Sequence, residues 1–357
     1  MTTRPPLNLA IIDDYQNIAP SKFQPLQPRL TGITSFPQTL HPAHHAPDKT
    51  ALITRLHPYQ IISTMRERTP FPADLIASLP NLKYIMTTGT RNRAIDLQAC
   101  AERGILVTGT TGLGAGEHKL SIPPSPSSTT QHTWALILGL ARYIARDDAV
   151  VKSGGWQGSL AMGLAGKTLG ILGLGNLGTA AAKIGVLAFG MRVVAWSSSL
   201  TQEMADQKAV EAGLPAGSFV VADSKLALFR GADVVSVHYV LSERSKGIVG
   251  KEELEAMKRT ALLVNTSRGP LVEEEALLEV LREGRIRGAA LDVFNREPLA
   301  GDSEWRTTKW GVEGRSEVLL SPHMGYAEEE IMERWYEEQA ENLGRWLDGK
   351  EVETRLI

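Results

Sequence analysis

Short apolar runs recur along the chain, each closed by glycine or a polar cluster. Between them lie stretches whose apolar residues fall three and four apart. The runs predict buried strands of parallel sheets, and the spaced stretches predict the helices that cover them. In the first hundred residues, LNLAII (7–12), LKYIMTTG (82–89) and GILVTG (104–109) are the predicted strands. PADLIASLPN (72–81) and DLQACAERG (96–104) have helical spacing, and the second stops at Gly104 as a helix C-terminus should. Residues 109–130, rich in Gly, Pro and Ser, break the pattern and read as a linker or long loop. The next stretch, QHTWALILGLARYIARDDAVV, is apolar on most faces, which suits a core helix or a subunit contact.

From residue 166 the alternation is stronger. Strands TLGILGLG, MRVVAW, DVVSVH, ALLVNTS and AALDVF are interleaved with helices LGTAAAKIGVLAFG, QEMADQKAVEAG and EEEALLEVLREG. That order predicts a doubly wound α/β domain built from βαβ units. An amphipathic tail, EEEIMERWYEEQAENLGRWLDGK, reads as a closing helix. The expected division is residues 1–122 with 324–357 as one domain and 123–323 as the other. The fold class is therefore α/β, with two domains and doubly wound parallel sheets.

Composition narrows the partners more than the fold. The chain has 357 residues, too many for one compact core. With 38 basic and 40 acidic residues the net charge is −2, which gives no electrostatic reason to expect nucleic acid or a membrane surface as partner. A single cysteine, Cys100, excludes an intrachain disulfide and fits a reducing compartment. The N-terminal MTTRPPLNLAIIDD lacks the length of apolar run that a signal peptide needs, so a cytoplasmic location is expected. His41, His44 and His45 lie in a Pro-rich stretch without cysteine or carboxylate support and read as a surface loop; no metal site is expected.

Two constellations carry chemistry. Gly173, Gly175 and Gly178 fit G-x-G-x-x-G, after a predicted strand and at the start of a predicted helix. In that context the first glycine makes the turn, the second admits a pyrophosphate to the backbone and the third lets helix and strand touch. Asn176 and Leu177 then open the helix whose N-terminus faces the phosphates. At the end of MRVVAW, where an acid would bond the ribose hydroxyls of NAD, stand Ser197, Ser198 and Ser199. No Arg or Lys follows until Lys208, so the usual attraction for a 2′-phosphate is missing too. NADP or NAD is expected as cofactor, with NADP slightly favoured. The second constellation is Arg268 after LLVNTS, Glu297 in LDVFNREP and His323 in VLLSPHMG. All three fall at or beyond the C-terminal ends of predicted strands, where open α/β sheets bind ligands. A permanent cation at the mouth of a core strand needs an anion.

In these motifs, together with MTTGTRNRAIDL and VNTSRGPLVEEEALLEVLREGRIRGAALDVFNREPL, the chain resembles the D-isomer-specific 2-hydroxyacid dehydrogenases. The resemblance spans nearly the whole chain. It implies a flavodoxin-like substrate domain, a Rossmann cofactor domain, and hydride exchange between a nicotinamide cofactor and a D-2-hydroxy acid or its 2-oxo acid. Arg268 would hold the substrate carboxylate, His323 would carry the proton, and Glu297 would orient the ring and favour the imidazolium. Thr266 and Asp292 would contact the cofactor, Asp292 at the nicotinamide carboxamide, and His238 would lie near the adenine. The turn at Thr88, Gly89, Thr90 and Arg91 matches the family's carboxylate-cradling loop. A cleft that closes on the substrate, and a homodimer joined through the apolar helix from Thr133, are also implied. A nucleotide-sensing regulator resembling the C-terminal-binding-protein corepressors is the alternative. The segment 301–317, with Trp305 and Trp310, is expected either to wall the cleft or to pack as a long surface loop.

Overall fold

A computed structural model describes residues 7–42, 46–112 and 127–357. The chain divides into two compact units, Met1–Ser121 with Ala327–Ile357, and Ile122–Tyr326. The division point between 121 and 122, and most of the predicted linker, lie outside the described residues, as do His44 and His45.

The first unit is built on β1 (Asn8–Ile12), β2 (Gly32–Phe36), β3 (Ile61–Thr64), β4 (Tyr84–Thr87) and β5 (Leu106–Thr108). They pair in parallel in the order β2-β1-β3-β4-β5. The central strands β1, β3 and β4 are buried along nearly their whole length, as the inner strands of a parallel sheet are. The tail helix Glu329–Leu347 belongs to this unit: Gln339 Oε1 accepts from Ser63 Oγ at 2.5 Å, and Trp346 packs 5.4 Å from Tyr84.

The middle unit carries β6 (Thr168–Leu172), β7 (Arg192–Trp196), β8 (Phe219–Val221), β9 (Val234–Val237), β10 (Leu262–Asn265), β11 (Gly288–Leu291) and β12 (Glu317–Leu320). Their order is β12-β11-β10-β9-β6-β7-β8, all parallel. From β6 the chain winds one way to β8 and then the other way from β9 to β12. The direction reverses between β6 and β9, and loops leave the C-terminal ends of both strands at that crevice.

The apolar stretch after the linker forms the helix Ser128–Ala141 and a second helix, Ile144–Lys152. Between them Tyr143 adopts φ +55° and breaks the run. The first helix packs Trp134, Leu136, Ile137, Leu140 and Ala141 into the unit's own core with Leu169, Ile171 and Leu262. Its apolar character is thus accounted for within the unit.

His238, directly after β9, donates its N–H to Leu172 O at 2.8 Å and places its ring 2.9 Å from Ser236 Oγ. Burial pushes its imidazole from 6.5 down to about 4. Between those values the unfolded chain holds the extra proton and the folded chain does not, so stability is full above 6.5 and falls as pH drops toward 4. Comparing urea melts at pH 7.5 and 5, His238→Asn should lose less stability than the parent, by roughly 1–2 kcal/mol. Equal losses in the two proteins would remove His238 as a source of acid sensitivity.

Candidate active site

The loops that leave β9, β10, β11 and β12 deliver the predicted residues to one edge of the middle unit's sheet. His323 follows β12 and pairs its Nδ1 with Glu297 Oε2 at 2.5 Å. Glu297 is itself fixed, because Oε1 accepts from the Phe294 N–H at 2.9 Å. With Nδ1 committed to the carboxylate, the transferable proton of the ring belongs to Nε2. Tyr326 packs edge-on to the imidazole, 5.7 Å between ring centres.

Arg268 stands just past β10, in a loop shaped by Asn265. The Asn265 amide donates to Arg268 O at 3.0 Å, and its oxygen accepts from the Ser267 N–H at 3.0 Å. Ser267 Oγ donates to Tyr239 O at 2.7 Å, which ties this loop to the one after β9. Gly269 is required by contact. A Cβ there would lie 2.1 Å from the Phe294 carbonyl carbon, so only glycine lets the arginine loop rest on the loop that leads to Glu297. Arg268 and the Glu297–His323 pair are thereby held on neighbouring loops of one unit.

His323 has φ +56°, a left-handed conformation uncommon for a side-chain-bearing residue. Contacts on both sides hold it. Asp292, 1% exposed, accepts the N–H groups of Met324 at 2.7 Å and Gly325 at 2.9 Å. His132, from the helix Ser128–Ala141, places Nε2 3.1 Å from Asp292 Oδ1 and 2.9 Å from Ser321 Oγ. Burial works to raise the Asp292 carboxyl, but the hydrogen bonds from His132, Ser321, Met324 and Gly325 outweigh it and keep the group below its ordinary value. Thr133, next on the same helix, bonds Thr266 Oγ1 at 2.8 Å. One helical turn therefore braces the ends of β10, β11 and β12. Periodicity could not reveal this role for His132, since it rests on contacts across 160 and 189 residues.

The glycine turn after β6 fits a dinucleotide. A Cβ at Gly178 would lie 2.1 Å from Gly173 O, so that position is glycine for helix–strand contact. At Gly175 a Cβ would meet nothing within 4 Å, which leaves the backbone open to a ligand. The helix Asn176–Phe189 starts with no side-chain cap, and its first N–H groups, from Asn176 and Leu177 onward, lack intrahelical partners. At the end of β7, Ser198 is tied to the loop after β9. Both its N–H, at 3.2 Å, and its Oγ, at 3.0 Å, are bonded to the Tyr239 hydroxyl.

In the other unit, Thr88 Oγ1 accepts from the Arg66 N–H at 3.0 Å, and the Gly89 N–H donates to Thr110 Oγ1 at 2.8 Å. Arg66 Nη1 would lie 3.3 Å from a Cβ at Gly89, so this arginine overlies the turn that Thr90 and Arg91 continue. In the tryptophan segment, Trp305 faces the core of its own unit. Trp305 is 3% exposed, donates Nε1–H to Glu274 at 2.8 Å, and packs between Phe294 and Trp310. With Asn265, Gly269 and Phe294 it lines a cavity of about 20 Å³ behind the Arg268 and Glu297 loops. It shares an apolar cluster with Leu277, Leu291 and Phe294, where burial outweighs exposure.

Residues 134–325 match the family model described as D-isomer specific 2-hydroxyacid dehydrogenase, NAD binding domain. This chain belongs to that family. A glyoxylate reductase of Aeropyrum pernix is 36% identical over 286 residues, 78% of this chain and 77% of that protein. A hydroxypyruvate reductase of Thermotoga maritima is 33% identical over 284 residues, 79% of this chain and 83% of that one. The solved structure of a phosphoglycerate oxidoreductase from Vibrio cholerae superposes with a TM-score of 0.78 at 34% identity, covering 96% of this chain and 99% of that chain. The protein is an oxidoreductase that passes hydride between a nicotinamide cofactor and a 2-hydroxy acid or 2-oxo acid. The regulatory alternative gains no support from these relatives.

His132→Ala removes a hydrogen-bond partner of a buried carboxylate, a loss of about 1–3 kcal/mol. We expect kcat to fall about tenfold as the turn carrying His323 loosens. A variant that loses stability in thermal melts but keeps wild-type kcat would show that this brace does not aim the histidine.

Proposed function

We propose that Arg268, Glu297 and His323 form the catalytic trio, a reading carried by the 2.5 Å pairing of His323 Nδ1 with Glu297. Bound nicotinamide would supply or take up the hydride. The guanidinium of Arg268 pairs with the substrate carboxylate and polarises the adjacent carbonyl oxygen. His323 Nε2–H gives its proton to that oxygen in reduction and recovers it in oxidation, while Glu297 favours the charged ring. Asp292 positions the His323 turn through the two backbone N–H groups it accepts, and any bond to the carboxamide is additional to these. The turn at Thr88–Arg91 is assigned to the substrate carboxylate on the resemblance. The names of the relatives make glyoxylate and hydroxypyruvate the first substrates to try, within a panel of 2-oxo acids assayed with NADH and NADPH.

A cytoplasmic homodimer completes the reading. Apolar side chains on the surface of the middle unit support the dimer: Ile144 is 62% exposed, Trp156 75% and Leu160 90%, with Val151 and Leu187 also uncovered. No helix among the described residues is long and apolar enough to cross a membrane.

Arg268→Ala should reduce kcat/KM by a hundredfold or more while leaving cofactor affinity largely intact, since losing one member of a desolvated charge pair costs about 2–5 kcal/mol. Wild-type kcat/KM in this variant would exclude Arg268 as the carboxylate anchor.

For the cofactor we propose use of both NADPH and NADH, with NADPH favoured by no more than about tenfold, about 1.4 kcal/mol. No acid stands at Ser197–Ser199 to repel a 2′-phosphate, and no cation among the residues just after them attracts it. Ser197→Asp should introduce that repulsion and turn the kcat/KM ratio toward NADH. A ratio that does not move would place selection at other residues.

A further inference from the structure

Three strand ends meet around the glycine turn. The Gly173 N–H donates to Trp196 O at 2.9 Å, and at φ +98° a Cβ on Gly173 would lie 2.8 Å from His238 O. The loop after β9 and the loop after β7 therefore flank the turn after β6, in keeping with the strand order β9-β6-β7. Tyr239 crosses between them. Its ring stacks on Trp196, 6.4 Å between centres and 20° between planes, and its hydroxyl reaches Ser198.

The two bonds between Tyr239 and Ser198 fix the direction of every proton in the pair. An amide N–H can only donate, so the Ser198 N–H, 3.2 Å away, uses the phenol oxygen as its acceptor. The single phenol proton then goes to Ser198 Oγ at 3.0 Å. With that lone pair occupied, the serine's own proton is directed away from the tyrosine, and the chain of bonds polarises it. Ser198 therefore presents a donor at the end of β7, the position that bonds the adenosine ribose in a doubly wound nucleotide domain. A 2′-phosphate has only acceptors to offer, whereas a 2′-hydroxyl can meet a donor or an acceptor.

We propose that Tyr239 is a cofactor-selecting residue: held between Trp196 and Ser198, it sets Ser198 as an outward donor that favours a 2′-phosphorylated ribose over a plain one. The inference rests on the nicotinamide-cofactor reading and deepens it. Tyr239 acts through Ser198, as a positioning residue for the cofactor's 2′ group.

The test is calorimetric binding of adenosine 2′,5′-bisphosphate and of 5′-ADP to the full chain, in wild type, Tyr239→Phe, Ser198→Ala and the double variant. Tyr239→Phe should weaken the bisphosphate about three- to tenfold, the range of one neutral hydrogen bond, and change 5′-ADP by less than about twofold. Ser198→Ala should do the same with the tyrosine intact, and the double variant should lose no more than Ser198→Ala alone. The NADPH/NADH ratio of KM values should follow the ligand ratio. Equal weakening of both ligands, no change in either, or additive losses would overturn the proposal. Failure of the wild type to bind either nucleotide would instead overturn the cofactor reading on which it rests.

Discussion

A parallel sheet sends every loop from the C-terminal ends of its strands to one edge, and the chemistry of the middle unit depends on that constraint. β9, β10, β11 and β12 lie side by side. Residues separated by tens of positions in sequence, Arg268, Glu297 and His323, are therefore brought to one edge by strand order, and there His323 pairs with Glu297. What local interaction adds is aim. Gly269 allows two loops to touch, Asp292 gathers two backbone N–H groups, and His132 joins them from a helix on another part of the unit. A histidine in a left-handed turn needs such support, because an isolated loop would relax out of that conformation.

The same physics explains why the site is polar at the edge and apolar immediately behind it. Trp305, Phe294 and Leu277 line the space under the Arg268 and Glu297 loops and leave only a small cavity. Rotamers locked by packing in this layer limit the freedom of the charged groups above it.

Much of this was legible in the sequence, and what was missed follows a pattern. The central strands announced themselves through unbroken apolar runs, and the trio through ionisable residues at their ends. Among the inner strands β3 was the exception, its apolar run being only Ile61 and Ile62 before Ser63 and Thr64, and β2 and β8, each at the edge of its sheet, also gave no early signal. β2 and β8 are partly exposed; Gly32–Phe36 mixes polar and apolar residues, and Phe219–Val221 is too short to show a period. The partners of His132 and Tyr239 could not be read either, because they depend on which strands neighbour one another. The sequence showed Ser198 only as one of three serines after β7, and the order β9-β6-β7 brings a tyrosine to it. The direction of Trp305 was likewise undetermined, since a tryptophan in a long connection suits a wall or a core equally.

The assignment of Arg268, Glu297 and His323 to a single compact unit has an evolutionary consequence. On the proposed roles, a reaction centre whose cation, acid and ring share one folding core is inherited whole. The bonds from the Phe294 N–H to Glu297, from Glu297 to His323, and from the Met324 and Gly325 N–H groups to Asp292 are all made within that unit. On the roles proposed above, selectivity for new oxo acids can drift in the unit made from both ends of the chain while the proton-transfer pair is kept in the middle unit.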